Sequence, residues 1–185
     1  MDKIILVGYP GSQFLVPASR YLTDKYLKDF EVHWLNWVDD LKGWSTFVAT
    51  YLAHLEDKNI IFALDDYLVS GFNKEVYEKL AQKCKDDIVA VKLHDTTVEE
   101  HIGYPVTTQY TIWNREFLID LLSQTTTPWD FEIRGSNIFS RLKVKSIASP
   151  VPAIEYNTSS ALSGRWKGVD WKGVKEEDLL IIQNL

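Results

Sequence analysis

Apolar residues occur along this chain in two rhythms. Unbroken runs of strand length, clearest at residues 4–7 and 60–64, alternate with stretches whose apolar positions recur every three or four residues. That alternation predicts β-α-β units and an α/β fold with a mainly parallel sheet. The first strand is expected over 3–8. Tyr9-Pro10-Gly11-Ser12 is a turn, and Pro17 suits the first turn of a helix reaching about residue 27. A second strand covers 30–35. Trp44, Phe47, Val48, Tyr51, Leu52 and Leu55 then fall at i, i+3, i+4, i+7, i+8 and i+11, one continuous helical face.

Residues 59–64 are apolar on both faces and so predict a central, covered strand. Asp65-Asp66-Tyr67 follows, where a loop is expected to begin. After Gly71, Asn73 caps a helix that turns Val76, Tyr77, Leu80, Ala81 and Cys84 inward. Another strand covers 88–93, and 94–105 is polar and irregular. Residues 107–112 are β-rich, and Asn114 caps a helix carrying Phe117, Leu118, Leu121 and Leu122. A threonine-rich turn leads into Pro128-Trp129-Asp130-Phe131-Glu132 and a short helix, and a last strand lies near 144–148. From Asn157 the chain reads as loop until Glu176, before a terminal apolar element at 179–182. No linker divides the chain, so residues 1–185 are expected to form one domain, with 157–185 a mobile loop plus that element.

Composition narrows the function classes. The 185 residues suffice for one substantial core. With 45% hydrophobic and 25% charged residues, wholesale disorder is excluded. A net charge of −6 offers nucleic acid or an anionic membrane no basic field. The lone Cys84 rules out an internal disulfide framework and fits a reducing compartment, and the short apolar run at the start is neither a signal peptide core nor a transmembrane segment. A cytoplasmic location is therefore expected. Seven Trp are many for this length; a Trp-rich core accounts for most, and ligand platforms for the rest.

Three constellations could carry chemistry. Asp65-Asp66 stands where open α/β sheets bind ligands, at the carboxyl end of a strand. Adjacent buried carboxylates repel unless a cation joins them, and Mg²⁺ or Mn²⁺ commonly binds one or two carboxylates plus substrate phosphates. The alternative is a turn cap. Asp130 and Glu132 bracket a helix entrance and offer a general base. Two apart on a helix, they do not share a face, so one at most enters a site, and Asp130 also suits helix capping. The glycine-rich stretch 163–173 concentrates Arg165, Lys167 and Lys172, which suit phosphate, or else a solvated hairpin. Tyr9-Pro10-Gly11-Ser12 lacks the ending of a P-loop, and the four His have no metal-ligand spacing.

In series, the Trp44 helix running into Ile60-Ile61-Phe62-Ala63-Leu64-Asp65-Asp66-Tyr67, then Gln109-Tyr110-Thr111-Ile112-Trp113-Asn114-Arg115-Glu116-Phe117-Leu118, then Pro128-Trp129-Asp130-Phe131-Glu132 resembles nucleotide-sugar glycosyltransferases of the GT-A type. The likeness is greatest to small capsule- or glycan-associated enzymes of microbes and viruses. It implies a Rossmann-like GT-A domain and metal-assisted hexosyl transfer from a nucleotide sugar, UDP-sugars foremost, to a glycan acceptor in polysaccharide biosynthesis. Asp66 matches the last, metal-binding position of the family's acidic motif and Asp65 the middle one. Leu64 departs from the first, so Mn²⁺ or Mg²⁺ would rest on fewer carboxylates.

The resemblance further places the acceptor-activating base at Glu132 or Asp130 and the nucleoside beside Tyr9 and Gln13. Arg165, Lys167 or Lys172 would help to hold the leaving diphosphate, and Trp113 and Trp129 would stack on sugar. Two other readings remain: a nucleotide-sugar-binding protein without turnover, supported by Leu64, and a phosphotransfer or nucleotide-hydrolysing enzyme, disfavoured by the missing phosphate loop.

Overall fold

A computed structural model of the chain describes residues 2–37, 39–94, 105–158, 171 and 173–185. Its centre is a six-stranded sheet in the order β2-β1-β3-β6-β5-β7. The strands are β1 (Lys3–Val7), β2 (Glu31–Leu35), β3 (Asn59–Leu64), β5 (Ile88–Lys92), β6 (Thr111–Asn114) and β7 (Lys145–Ala148). Only β6 runs against its neighbours, pairing antiparallel with β3 and β5; the other pairs are parallel. A separate two-stranded sheet pairs β4 (Tyr67–Phe72) with β8 (Ile154–Thr158).

The period-two geometry of strands explains the covered sheet. Ile5, Val7, Ile60, Phe62 and Trp113 point to one face, against α2 (Trp44–Leu52), α4 (Arg115–Leu122) and α5 (Pro128–Phe139). Ile4, Leu6, Ile61, Ala63 and Ile112 point to the other, where Tyr77 and Leu80 of α3 (Lys74–Ala81) and Ile154 of β8 meet them. A smaller cluster joins Ala18 and Leu22 of α1 (Val16–Tyr26) to Leu68 of β4 and Ile182 of α6 (Glu176–Ile182). Asp178 fixes α6 there: its buried carboxylate accepts from Tyr21 Oη at 2.7 Å, Tyr26 Oη at 2.9 Å and Lys25 Nζ at 2.6 Å. Among the described residues no helix is long and apolar enough to cross a membrane.

Most elements lie where periodicity predicts them, with four differences. Asp65-Asp66 opens no loop; it is a two-residue turn leading straight into β4. The strand expected over 107–112 forms only at Thr111–Asn114. Upstream, Thr108 spends its carbonyl on Leu64 N and its N–H on the Glu132 carboxylate, so no ladder propagates. The short helix at Pro128 is in fact 12 residues long. Gly135 lets that helix lie close to residues 105–106, because a Cβ there would stand 3.1 Å from Val106 Cγ1. The tail read as loop from Asn157 begins inside β8.

Candidate functional site

From β1 the chain crosses to β2 on one side and returns to β3 on the other, so the strand order reverses at β1. Such a reversal opens a crevice at the carboxyl ends of the strands. Asp65 N donates to Val7 O at 3.1 Å, which sets the Asp65-Asp66 turn beside the end of β1. The carboxylates are only 3% and 7% exposed. Gly8 makes room for the first of them: a Cβ at that position would lie 2.8 Å from Asp65 Oδ2. Tyr9 Oη donates to Asp66 Oδ2 at 2.8 Å.

Burial pushes the Asp65 carboxyl up to about 6, moderated by Ser12. It pushes Asp66 up to about 7; the Tyr9 hydroxyl opposes that rise, and the charges of Asp65 and Glu132 add to it. The Tyr9 hydroxyl is driven far above its usual range, by burial first and by the Asp66 charge next. Asp65 Oδ1 is buried with no hydrogen-bond partner among the described residues. The turn thus holds two carboxyls whose charged forms are disfavoured by burial.

Glu132, half-buried on α5, faces the same place. Its Oε1 accepts from Thr108 N at 2.7 Å, Thr108 Oγ1 at 2.8 Å and Thr107 Oγ1 at 3.3 Å. Tyr67, the residue after Asp66, brings its hydroxyl 3.2 Å from Thr108 Oγ1. Tyr156 of β8 packs edge-on to Tyr67 and donates to Gln109 Oε1 at 2.6 Å. Lys92, at the end of β5, is buried, which lowers its pKa against the opposing pull of Glu132. Sequence reasoning missed Ser12, Tyr67, Lys92, Thr107, Thr108, Gln109 and Tyr156. Their residue types are ordinary, and the polar run Thr107-Thr108-Gln109 inside an expected strand was the one available signal.

The other expected site residues divide. Trp129 is 49% exposed, with its ring edge-on to Tyr9 at 5.7 Å between centroids. Gln13 lies close by but holds its own turn, donating to Tyr9 O at 3.1 Å and accepting from Gly11 N at 2.9 Å. Asp130 is turned away toward the helix start, where its Oδ2 accepts from Thr126 N at 2.9 Å while Thr127 Oγ1 accepts from Asp130 N at 3.0 Å. That reciprocal cap uses the carboxylate, so the base expected at Asp130 is corrected to a capping role. Trp113 is also corrected: at 0% exposure it stacks on Phe117 inside the core and presents no face to a sugar. Arg165, Lys167 and Lys172 lie outside the described residues.

Among the described residues no group of three His, Cys, Asp or Glu is placed to hold a metal. Leu64 packs into the core and supplies no substitute ligand. Asp65 and Asp66 therefore fit a divalent cation in one mode, with one or two carboxylates and the remaining positions filled by substrate phosphate oxygens. The buried, unpartnered Asp65 Oδ1 is consistent with that mode.

Without a cation the two groups should weaken the fold as pH rises. Each folded-state carboxyl is less acidic than its ordinary value of 3.8, so the native state holds protons that the unfolded state has released. Their favourable contribution is complete below about pH 4 and is lost as pH climbs through about 6 and about 7. Asp66→Asn should raise the metal-free Tm by several degrees at pH 7.5 and change it little at pH 4. Thermal unfolding followed by circular dichroism at both pH values checks this; a lower Tm at pH 7.5 contradicts it.

No protein-family model matches the chain, and no curated protein matches it by sequence. Solved structures do share its fold. The mannosyltransferase PcManGT from Pyrobaculum calidifontis, in complex with GDP-Man and Mn²⁺, aligns with a TM-score of 0.56 at 10% identity, over 82% of this chain and 55% of that one. The chain thus spans about half the length of that enzyme. A putative glucose-1-phosphate thymidylyltransferase from Bacillus anthracis aligns over 100% of this chain and 94% of that chain, with a TM-score of 0.54 at 11% identity. A UDP-glucose pyrophosphorylase complexed with UDP-glucose aligns over 100% and 82%, with a TM-score of 0.50 at 12% identity. Sheet order and these alignments together give the chain the Rossmann-like GT-A architecture common to glycosyltransferases and sugar nucleotidyltransferases.

Proposed function

We propose that this chain is a glycosyltransferase that moves a sugar from a nucleoside-diphosphate donor to a hydroxyl of a glycan or similar acceptor. The observation that carries this reading is the buried Asp65-Asp66 turn at the carboxyl ends of β1 and β3, with Glu132 tied to its flank through Thr108. Burying two such charges is costly unless a bound cation offsets them. Asp66 and Asp65 would hold Mn²⁺ or Mg²⁺, which when bound neutralises charge on the leaving diphosphate. In the transfer, an acceptor oxygen bonds to the anomeric carbon, the bond from that carbon to the diphosphate breaks, and the acceptor proton passes to Glu132. Trp129 offers a half-exposed apolar face for a sugar ring. UDP-sugars are the first donors to test, hexoses the first sugars, and the reducing cytoplasm fits the lone buried Cys84.

One observation favours a binding protein without turnover: Glu132 Oε1 already takes three donors from Thr107 and Thr108, as a purely structural carboxylate would. Thermal-shift titration with UDP-, GDP- and CMP-sugars, with and without Mn²⁺, tests the shared part of both readings. One nucleotide sugar at 100 times its Kd should stabilise the chain by about 2.7 kcal/mol. That gain should vanish in Asp66→Ala. Silence toward every donor would overturn both readings.

A further inference from the structure

We propose that Thr108 is a positioning residue that locks the Glu132 carboxylate to the turn carrying Asp65 and Asp66, so that one residue bridges the base and the donor site. The proposal rests on the glycosyl-transfer reading and adds the element that aligns its two halves. Thr108 is 2% exposed and touches both flanks of the acidic pair. Its carbonyl accepts from Leu64 N, one residue before Asp65, at 2.9 Å. Its hydroxyl lies 3.2 Å from Tyr67 Oη, one residue after Asp66. On the opposite side its N–H and hydroxyl both donate to Glu132 Oε1, at 2.7 and 2.8 Å.

Proton bookkeeping fixes the direction of this chain. A carboxylate only accepts, so the single Thr108 hydroxyl proton goes to Glu132, and Tyr67 must donate to Thr108. Aligned donors polarise one another, Tyr67 to Thr108 to Glu132. The arrangement fastens Oε1 and keeps the carboxylate from rotating. Its other oxygen, Oε2, then has a fixed place relative to Asp66. A reacting geometry misplaced by about 1 Å can cost on the order of 100-fold in rate, which is the scale at which such fastening matters.

The test uses Thr108→Val, which removes the hydroxyl and keeps the N–H, Thr108→Ser, which keeps both, and Tyr67→Phe, which removes only the first donor. Binding is read by thermal shift with UDP-, GDP- and CMP-sugars plus Mn²⁺. Turnover is read as nucleoside diphosphate release from the stabilising donor, with water as acceptor. Thr108→Val should lower kcat roughly 10- to 100-fold. Its donor KM should stay within about twofold of wild type. Thr108→Ser should recover most of the rate, and Tyr67→Phe should lower kcat less than Thr108→Val. A Thr108→Val enzyme with wild-type kcat, or with a loss confined to KM, overturns the proposal and leaves glycosyl transfer standing. If Thr108→Val does not fold, an unchanged kcat in Tyr67→Phe overturns it equally. A wild-type chain that binds no donor overturns the function itself, and the role of Thr108 with it.

Discussion

Glu132→Gln is expected to slow sugar transfer by roughly 10²- to 10⁴-fold, the usual contribution of a positioned general base. Donor binding should persist, because the substitution is nearly isosteric. The Gln carbonyl oxygen can accept from Thr108 N and Thr108 Oγ1 where Glu132 Oε1 does now, at 2.7 and 2.8 Å, so the contact between α5 and residues 107–108 survives. What disappears is a carboxylate able to take the acceptor proton. Removing the charge also relieves Asp66, which feels Glu132 as a repulsion, so Mn²⁺-dependent stabilisation should remain measurable. Initial rates with saturating donor, beside a thermal shift of the same variant, decide the outcome. Full turnover in Glu132→Gln would remove Glu132 from the chemistry and leave it the structural carboxylate of the binding-protein reading.

Trp113→Ala is expected to cost about 3–5 kcal/mol of stability, the range for emptying an aromatic core position. Trp129→Ala should cost less than about 0.5 kcal/mol, as surface substitutions do. The contrast comes entirely from burial. Trp113 is 0% exposed, parallel to Phe117 at 6.4 Å and edge-on to Phe131 at 6.0 Å, and its strand position pairs with both Ile60 and Ala90. Trp129 touches Tyr9 by an edge and leaves about half of its surface to solvent. Urea unfolding gives the stability half of the test and donor or oligosaccharide titration the other. Trp129→Ala should weaken sugar binding while the fold stays intact; equal stability losses at the two positions would contradict the assignment.

The two tryptophans also mark where sequence reading ended. Both stand in the stretches that suggested sugar chemistry, and neither residue type nor spacing separates a core ring from a platform. The same holds for the carboxylates. Asp130 and Glu132 stand two apart on one helix, roughly 200° around its axis, so their separation onto different faces was legible. Which face meets the site depended on how α5 packs, with Gly135 against Val106. Leu64 was legible as an absent acid, and the structure packs its side chain into the core. Thr108 was beyond reach, because its partners lie 24 and more residues away and bond to its backbone as much as to its side chain.

The acidic turn itself was located by pattern alone. An apolar run on both faces means a strand covered on both sides, and the first charged residues after such a run mark the strand's carboxyl end. Local chemistry likewise settled the caps at Asn73 and Asn114, since an Asx side chain bonds to N–H groups two or three residues ahead. Those features depend on neighbours in the chain. The tertiary structure decided the rest: that Asp65-Asp66 joins two different sheets, that β6 runs antiparallel, and that Tyr9, Thr108 and Glu132 converge on one turn. Contacts between residues far apart in sequence arise from packing both faces of the sheet at once, and periodicity records which face a residue takes, not what it meets there.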